Sequence, residues 1–373
     1  MSFVISPLQR LIGGFGLIIA AIAAVSPPRS AEAQTTAYTV TELSADDATQ
    51  VPCKLNNLGD LVGRGSRGAV AAQIHAMFWN HSSFAKKHLG VFAGGDYSSA
   101  TGINDAGEVT GASNSGTRII PFLWTGKGGM KRVPFLPGDN CGQANSINRY
   151  GHVVGYSSGP SGMNAFFWAR NGSIRRLGTL PGSDYSKARD LNDGDEIVGT
   201  SGSSAGKRAV LWSKTGTIRD LGTLPGDYAS EAMAINNNGD VVGYSKGPRG
   251  TRAFLWNRTA GMRDLGVLPG GDSSRGLAIN DLAEVVGSST SPSGDHAFIW
   301  TEQEAMVDLN NASSVDLGVV LFEAHAINDK GQIIAMGEGN RQITIDTVSG
   351  ATAHEDCAPA PPSAFLLTPV STR

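Results

Sequence analysis

Apolar positions along this chain fall in short runs with no helical period. The clearest run is Arg252-Ala253-Phe254-Leu255-Trp256. In an extended strand Phe254 and Trp256 share one face and Ala253 and Leu255 the other, so both faces are apolar and both must be covered. Three more short stretches follow, Met262–Leu268, Gly276–Asn280 and Glu284–Ser288, parted by turn residues. One unit earlier, Asn236-Asn237-Asn238-Gly239 has Asn first and Gly fourth, as a type I turn with a following bulge prefers. The pattern predicts a unit of four strands, the first of them buried on both sides.

That unit recurs. Asn56, Asn104, Asn148, Asn192, Asn236, Asn280 and Asn328 each follow Leu or Ile, at intervals of 48, 44, 44, 44, 44 and 48 residues. Seven residues after each stands a glycine (Gly63, Gly111, Gly155, Gly199, Gly243 and Gly287), replaced by Ala335 in the seventh unit. All six tryptophans occupy one repeat position, 20 residues after an asparagine, except Trp79, which is 23 after Asn56. A length of 373 residues could hold two or three domains, but a repeat that runs through nearly the whole chain overrides that count.

Seven such units predict an all-β fold, a seven-bladed β-propeller of four-stranded repeats about 44 residues long. The ends favour a closed ring over an open array. Tyr38-Thr39-Val40-Thr41-Glu42-Leu43 matches the second strand of a unit. Ala364-Phe365-Leu366-Leu367-Thr368 matches the first, with Leu367 in the tryptophan position. Pairing the N- and C-terminal strands would complete one blade from both ends and remove free sheet edges, whereas an open array would need polar caps. The repeats span about 38–370, with an insertion at about 338–362.

Taken together, His296-Ala297-Phe298-Ile299-Trp300, Asp264-Leu265-Gly266-Val267-Leu268, and Ile279-Asn280-Asp281 with Val285-Val286-Gly287 resemble the HAF repeat of bacterial extracellular proteins. The resemblance covers about residues 38–370 and implies a secreted, propeller-like protein. It brings no agreed activity and no catalytic residues. Many such proteins end in a sorting segment with Pro-Glu-Pro; the segment Thr368–Arg373 has none, so membrane sorting by that route is not expected.

Export is also legible in the first residues. Arg10 precedes an uncharged run, Leu11–Val25, and Ala31-Glu32-Ala33 supplies a small-x-small cleavage pattern before Gln34. The run is shorter than the roughly 20 residues of a membrane span. The expected division is a signal peptide at 1–33 and a single β-propeller domain at 34–373. After cleavage the protein is expected to be secreted, in the extracellular space or periplasm, monomeric and without stable membrane insertion. A net charge of −3 gives no clustered basic surface for nucleic acid. The spacing of Cys53, Cys141 and Cys357 fits no metal motif. In an oxidising compartment, ring closure would make Cys53 and Cys357 neighbours, so a disulfide between them is expected, with Cys141 free.

Candidate chemistry is sparse. Gly-x-Ser-x-Gly occurs three times, centred on Ser157, Ser204 and Ser245. A nucleophile elbow needs one serine on a strand-to-helix turn, so a structural origin in connections between strands is favoured. The seven histidines show no i, i+4 zinc spacing, and no cofactor or metal is expected. The seven asparagines each start a turn, where an Asn side chain can bond nearby backbone amides. An acidic series, Asp96, Asp139, Asp184, Asp227 and Asp272, lies in the loop between the second and third strands, with Asp47 similarly placed in the first unit. Tyrosines follow three of them: Tyr97, Tyr185 and Tyr228. Carboxylates accept hydroxyl hydrogen bonds and tyrosines offer flat amphipathic faces, a combination that suits sugars, and loops of one type share one face of a propeller. These eight residues are the candidate binding set. The expected function is a non-catalytic extracellular binding or interaction module, with a glycan or protein partner. The alternative is a propeller enzyme, a lyase or hydrolase acting on extracellular polysaccharide.

Overall fold

In the computed structural model, which describes residues 37–43, 50–66, 73–204, 206–312, 318–339 and 363–370, the apolar runs are strands. Strand β1 is Tyr38–Glu42. Blade 1 is β2 (Val51–Leu55), β3 (Leu61–Ser66), β4 (Ile74–Trp79) and β5 (Lys86–Gly90). Blade 2 is β6 (Ser98–Ile103), β7 (Val109–Ser115), β8 (Arg118–Thr125) and β9 (Gly129–Arg132). Blade 3 is β10 (Cys141–Ile147), β11 (Val153–Gly159), β12 (Gly162–Trp168) and β13 (Ile174–Arg176). Blade 4 is β14 (Tyr185–Leu191), β15 (Ile197–Ser203), β16 (Gly206–Trp212) and β17 (Ile218–Asp220). Blade 5 is β18 (Ala229–Ile235), β19 (Val241–Gly247), β20 (Gly250–Asn257) and β21 (Gly261–Asp264). Blade 6 is β22 (Ser274–Ile279), β23 (Val285–Ser291), β24 (Gly294–Thr301) and β25 (Ala305–Asp308). Blade 7 is β26 (Val319–Ile327), β27 (Ile333–Gly339) and β28 (Ser363–Pro369), with β1 as its outer strand.

The ring therefore closes as the ends predict. β1 pairs antiparallel with β28, Val40 opposite Leu367, and Leu367 faces Ile333 on β27. Leu367 takes the place that Trp300 holds between Val285 and Met306 in blade 6. One expectation is corrected. The four-strand unit read from Arg252 to Ser288 straddles two sheets: its first two strands are β20 and β21 of blade 5, and its last two are β22 and β23 of blade 6. Periodicity gives the length of a repeat but not its phase. The phase lies in connection length, because β21 and β22 are parted by residues 265–273 whereas β23 and β24 are parted only by 292 and 293.

Burial follows the apolar pattern. Ala253 and Phe254 are fully enclosed, and Leu255 and Trp256 nearly so. Each apolar cluster lies between neighbouring sheets; Val198, Ala209 and Leu211 of blade 4, for instance, meet Ala232, Val241, Phe254 and Trp256 of blade 5. Buried serines stitch the sheets together: Ser230 Oγ donates to Gly222 O and accepts from the Ala209 N–H of the preceding blade. The repeated glycine has a steric cause. A Cβ on Gly243 would lie 2.0 Å from Glu231 O, across the bulge between Ala232 and Ala234. In blade 7, where Ala335 replaces that glycine, the inner strand carries a second bulge, between Leu321 and Glu323.

The expected signal segment 1–33, Asp47, Cys357 and most of the insertion lie outside the described residues. Among the described residues no helix is long and apolar enough to cross a membrane.

Candidate functional site

Antiparallel strands in chain order put two kinds of connection at each end of the ring. The turns from inner to second strand emerge at one end, the turn face. The connections from an outer strand to the next inner strand, and from second to third strand, emerge at the other, the loop face.

On the turn face the seven repeated asparagines form a closed circle. Asn56 Nδ2 donates to Asn104 O at 3.1 Å, Asn104 to Asn148 O, Asn148 to Asn192 O, and Asn192 to Asn236 O. Asn236 then donates to Asn280 O, Asn280 to Asn328 O, and Asn328 back to Asn56 O at 3.0 Å. Each Oδ1 meanwhile accepts backbone N–H groups of its own turn, as Asn236 does from Asn238 and Asp240. One side chain thus builds the turn and ties it to the next blade, which is a structural role.

The next residue in each turn builds a second circle. The N–H of Asn57, Arg149, Asp193, Asn237, Asp281 and Asp329 donates to the side chain of Asp105, Asp193, Asn237, Asp281, Asp329 and Asn57 respectively. The circle breaks where Arg149 stands in place of an Asn or Asp acceptor. Both circles line an axial cavity of about 240 Å³.

The inner strands show where the blades stop being alike. Five residues before each ring asparagine stand Val51, Ser99, Gln143, Lys187, Glu231, Arg275 and Glu323. Charged residues hold this position in blades 4 to 7, and their densest network surrounds Glu231 of blade 5. Glu231 is buried, with Oε1 2.6 Å from Arg189 Nη2 and Oε2 2.5 Å from Lys207 Nζ, both donors. Burial works to raise its pKa, but the hydrogen bond from Lys207 and the charge of Arg189 outweigh it and hold the carboxyl below the usual range. Lys207 itself, though burial works against its charge, is raised by Glu231. Lys187 Nζ lies 4.8 Å from the centre of the Tyr156 ring, and burial, then the neighbouring Arg189, push its pKa down. Burial raises the Tyr156 hydroxyl as well. Lys207 and Arg275 both lie 5.5 Å from the Tyr244 ring centre. A recess of about 180 Å³ opens beside this group, between Lys207, Tyr244, Lys246, Thr251 and Arg275.

The acidic series lies on the loop face, mostly engaged. Ser157 Oγ donates to Asp139 Oδ2 and Ser245 Oγ to Asp227 Oδ2, both at 2.7 Å. Asn114 Nδ2 donates to Asp96 and Thr290 Oγ1 to Asp272. Asp184 is exposed, and among the described residues only its backbone N–H, to Gly202 O, is engaged. Of the tyrosines, Tyr228 is 55% exposed, whereas Tyr97 and Tyr185 are half-buried and Tyr185 covers Gly202. The structure thus brings each Asp to its own blade's second strand.

Ser157 and Ser245 are fully buried within β11 and β19 rather than in connections, where they accept the Leu136 and Leu224 N–H groups. His81, His152 and His296 pair with Asp60, Asp195 and Asp308. Among the described residues no group of three His, Cys, Asp or Glu could hold a metal. Cys53 Sγ donates to Val51 O; its expected partner Cys357 is not described. The unlike wall residues were missed from sequence, although their signal was there: in an otherwise uniform inner strand, one position changes chemistry in every unit.

No protein-family model and no curated protein matches the chain. By fold it is similar to an oligogalacturonate lyase in complex with manganese, at TM-score 0.56 and 12% identity over 91% of this chain and 95% of that one. It is similar to the virginiamycin B lyase of Staphylococcus aureus, at TM-score 0.54 and 12% identity over 89% and 100%. Alignment with TolB from Acinetobacter baumannii reaches TM-score 0.46 at 13% identity, over 67% of this chain, and spans 63% of TolB. At such identities the likeness establishes the fold, a seven-bladed β-propeller.

Proposed function

We propose that the chain is an exported binding module of the HAF-repeat type, which holds an extracellular glycan or a cell-surface partner on its loop face without transforming it. The observation that carries this reading is the asymmetry of an otherwise repeated wall: Lys187, Glu231 and Arg275 stand at one repeat position in adjacent blades. These positions lie toward the loop-face ends of inner strands β14, β18 and β22, where units otherwise alike are free to vary, and variation on one face of a repeat array marks a recognition surface. Glu231 is charge-neutralised by Arg189 and Lys207, which suits a fixed electrostatic surface more than a proton-transfer group.

One observation favours a second reading, an enzyme acting on extracellular polysaccharide. Lys187 lies with Nζ 4.8 Å from the centre of the Tyr156 ring, and burial, then the charge of Arg189, pushes its pKa down, the direction that general-base work calls for. Both readings are tested by incubating the purified mature protein with a panel of neutral and acidic polysaccharides. Retention without product release supports the module. Release of shortened or unsaturated products, lost in Lys187→Met, supports the enzyme and sinks the module.

A further inference from the structure

The recess over blade 5, flanked by Lys207 of blade 4 and Arg275 of blade 6, has an unusual charge balance for a chain whose net charge is −3. Its lining contributes three basic side chains, Lys207, Lys246 and Arg275, and no carboxylate. The carboxylate beside it, Glu231, is engaged on both oxygens, by Lys207 and Arg189, both from blade 4. Among the described residues, Lys246 and Arg275 form no ion pair. Two full positive charges therefore face one small concavity with no internal counter-charge.

The surroundings sharpen the ligand class. Arg275 stands against Tyr244, which leaves a planar guanidinium suited to bidentate contact with an oxyanion. Thr251 adds a hydroxyl at the rim. The volume, about 180 Å³, is below the roughly 300–1,000 Å³ of pockets that enclose a drug-sized ligand. It takes one sugar residue or one anionic group of something longer. Low-dielectric walls around a single-sign lining focus the field and raise the local concentration of an opposite charge.

We propose that this recess is an anion subsite that takes the carboxylate of an acidic saccharide, with Arg275 and Lys246 as its direct contacts and Lys207, anchored by Glu231, as its fixed floor. The proposal rests on the glycan-binding reading above and adds the ligand's charge and the place it occupies. Recognition by two uncompensated cations predicts discrimination against neutral sugars and a steep loss of affinity with salt.

The test is titration calorimetry of the mature protein with three probes: a glucuronate-containing oligosaccharide, the glucose oligosaccharide of the same length, and inorganic phosphate. The comparison is with the double variant Arg275→Gln/Lys246→Gln, whose two positions are exposed enough to leave the melting temperature unchanged. The expected result is binding of the acidic oligosaccharide at least tenfold tighter than the neutral one, and a loss of tenfold or more in the double variant. Equal binding by wild type and double variant overturns the subsite while leaving a glycan-binding module in place. Binding of phosphate alone, abolished in the double variant, keeps an anion site but overturns both the saccharide assignment and the glycan reading. No binding by any probe overturns both.

Discussion

The side chain of Asn328, in the last blade, donates to the main-chain oxygen of Asn56, in the first, at 3.0 Å across 272 residues of sequence. It is the seventh link of a circle whose other six join residues 44 or 48 apart. No link is local, so the circle exists only when all seven blades are in place, and it ties closure of the ring to the turn of every repeat.

Asn328→Asp is therefore expected to lower stability although it is nearly isosteric. It keeps the Oδ1 that accepts from Lys330 and Gln332 but replaces the donor facing Asn56 O with a second oxygen. A buried acceptor left unmade costs about 1–3 kcal/mol, and oxygen facing oxygen adds to it. Urea unfolding should show a lower midpoint for Asn328→Asp, whereas an unchanged midpoint would remove the circle from any stabilising role.

Closure through the terminal strands makes a second prediction. Leu367 is fully buried between Val40 and Ile333. Leu367→Ala should cost about 2–5 kcal/mol, as buried leucine truncations do. Deleting 359–373, which removes β28, leaves β1 without a partner and bares the outer edge of β27, should abolish cooperative unfolding of the whole ring. A deletion protein that melts like the parent would show that blade 7 is not needed for closure.

Much of this fold was legible because its determinants are local and repeated. Trp256, Gly243 and Asn236 each recur at a fixed spacing, and each answers a steric or hydrogen-bonding demand that every blade shares. The phase of the blades was not legible from period alone, since any four consecutive strands satisfy it. The second circle, through Asn57, Asp105, Asp193, Asn237, Asp281 and Asp329, escaped the sequence reading, because its meaning is a contact between repeats, which spacing does not reveal. The wall at Lys187, Glu231 and Arg275 was hidden for the opposite reason: repeat reading rewards sameness, and these positions matter by differing. The loop aspartates were visible as a series, yet only coordinates show that Asp139 and Asp227 accept from buried serines.

Acid sensitivity should trace in part to Glu231. Its folded pKa lies below the ordinary glutamate value, burial being outweighed by Lys207 and Arg189. The stabilisation this gives is present in full above the unfolded pKa of about 4.3 and is lost as pH falls through the folded value, where the carboxylate finally protonates. Glu231→Gln should be less stable than wild type by about 1–3 kcal/mol at pH 7, the cost of unmade bonds to charged partners. Melting curves from pH 7 to pH 3 should converge at the acid end; parallel curves would show that the ionised carboxylate contributes nothing.

Asp227 and Asp184 occupy equivalent loops but differ in what holds them, which separates structure from recognition. Asp227 accepts from the buried Ser245 hydroxyl at 2.7 Å, and Ser245 in turn holds the Leu224 N–H, so Asp227→Ala leaves that hydroxyl only its longer bond to Ala229 O, at 3.3 Å, and should cost about 1 kcal/mol. Asp184 is exposed with no side-chain bond among the described residues, so Asp184→Ala should leave stability within about 0.5 kcal/mol of wild type, as surface changes do. A double-mutant cycle of Asp227→Ala with Ser245→Ala should return a coupling energy, whereas the same cycle with Asp184→Ala should return none. Loss of glycan retention in Asp184→Ala, with its unfolding midpoint unchanged, would then report recognition alone. Loss in Asp227→Ala would count for recognition only if Ser245→Ala, which frees the same carboxylate without removing it, retains the ligand.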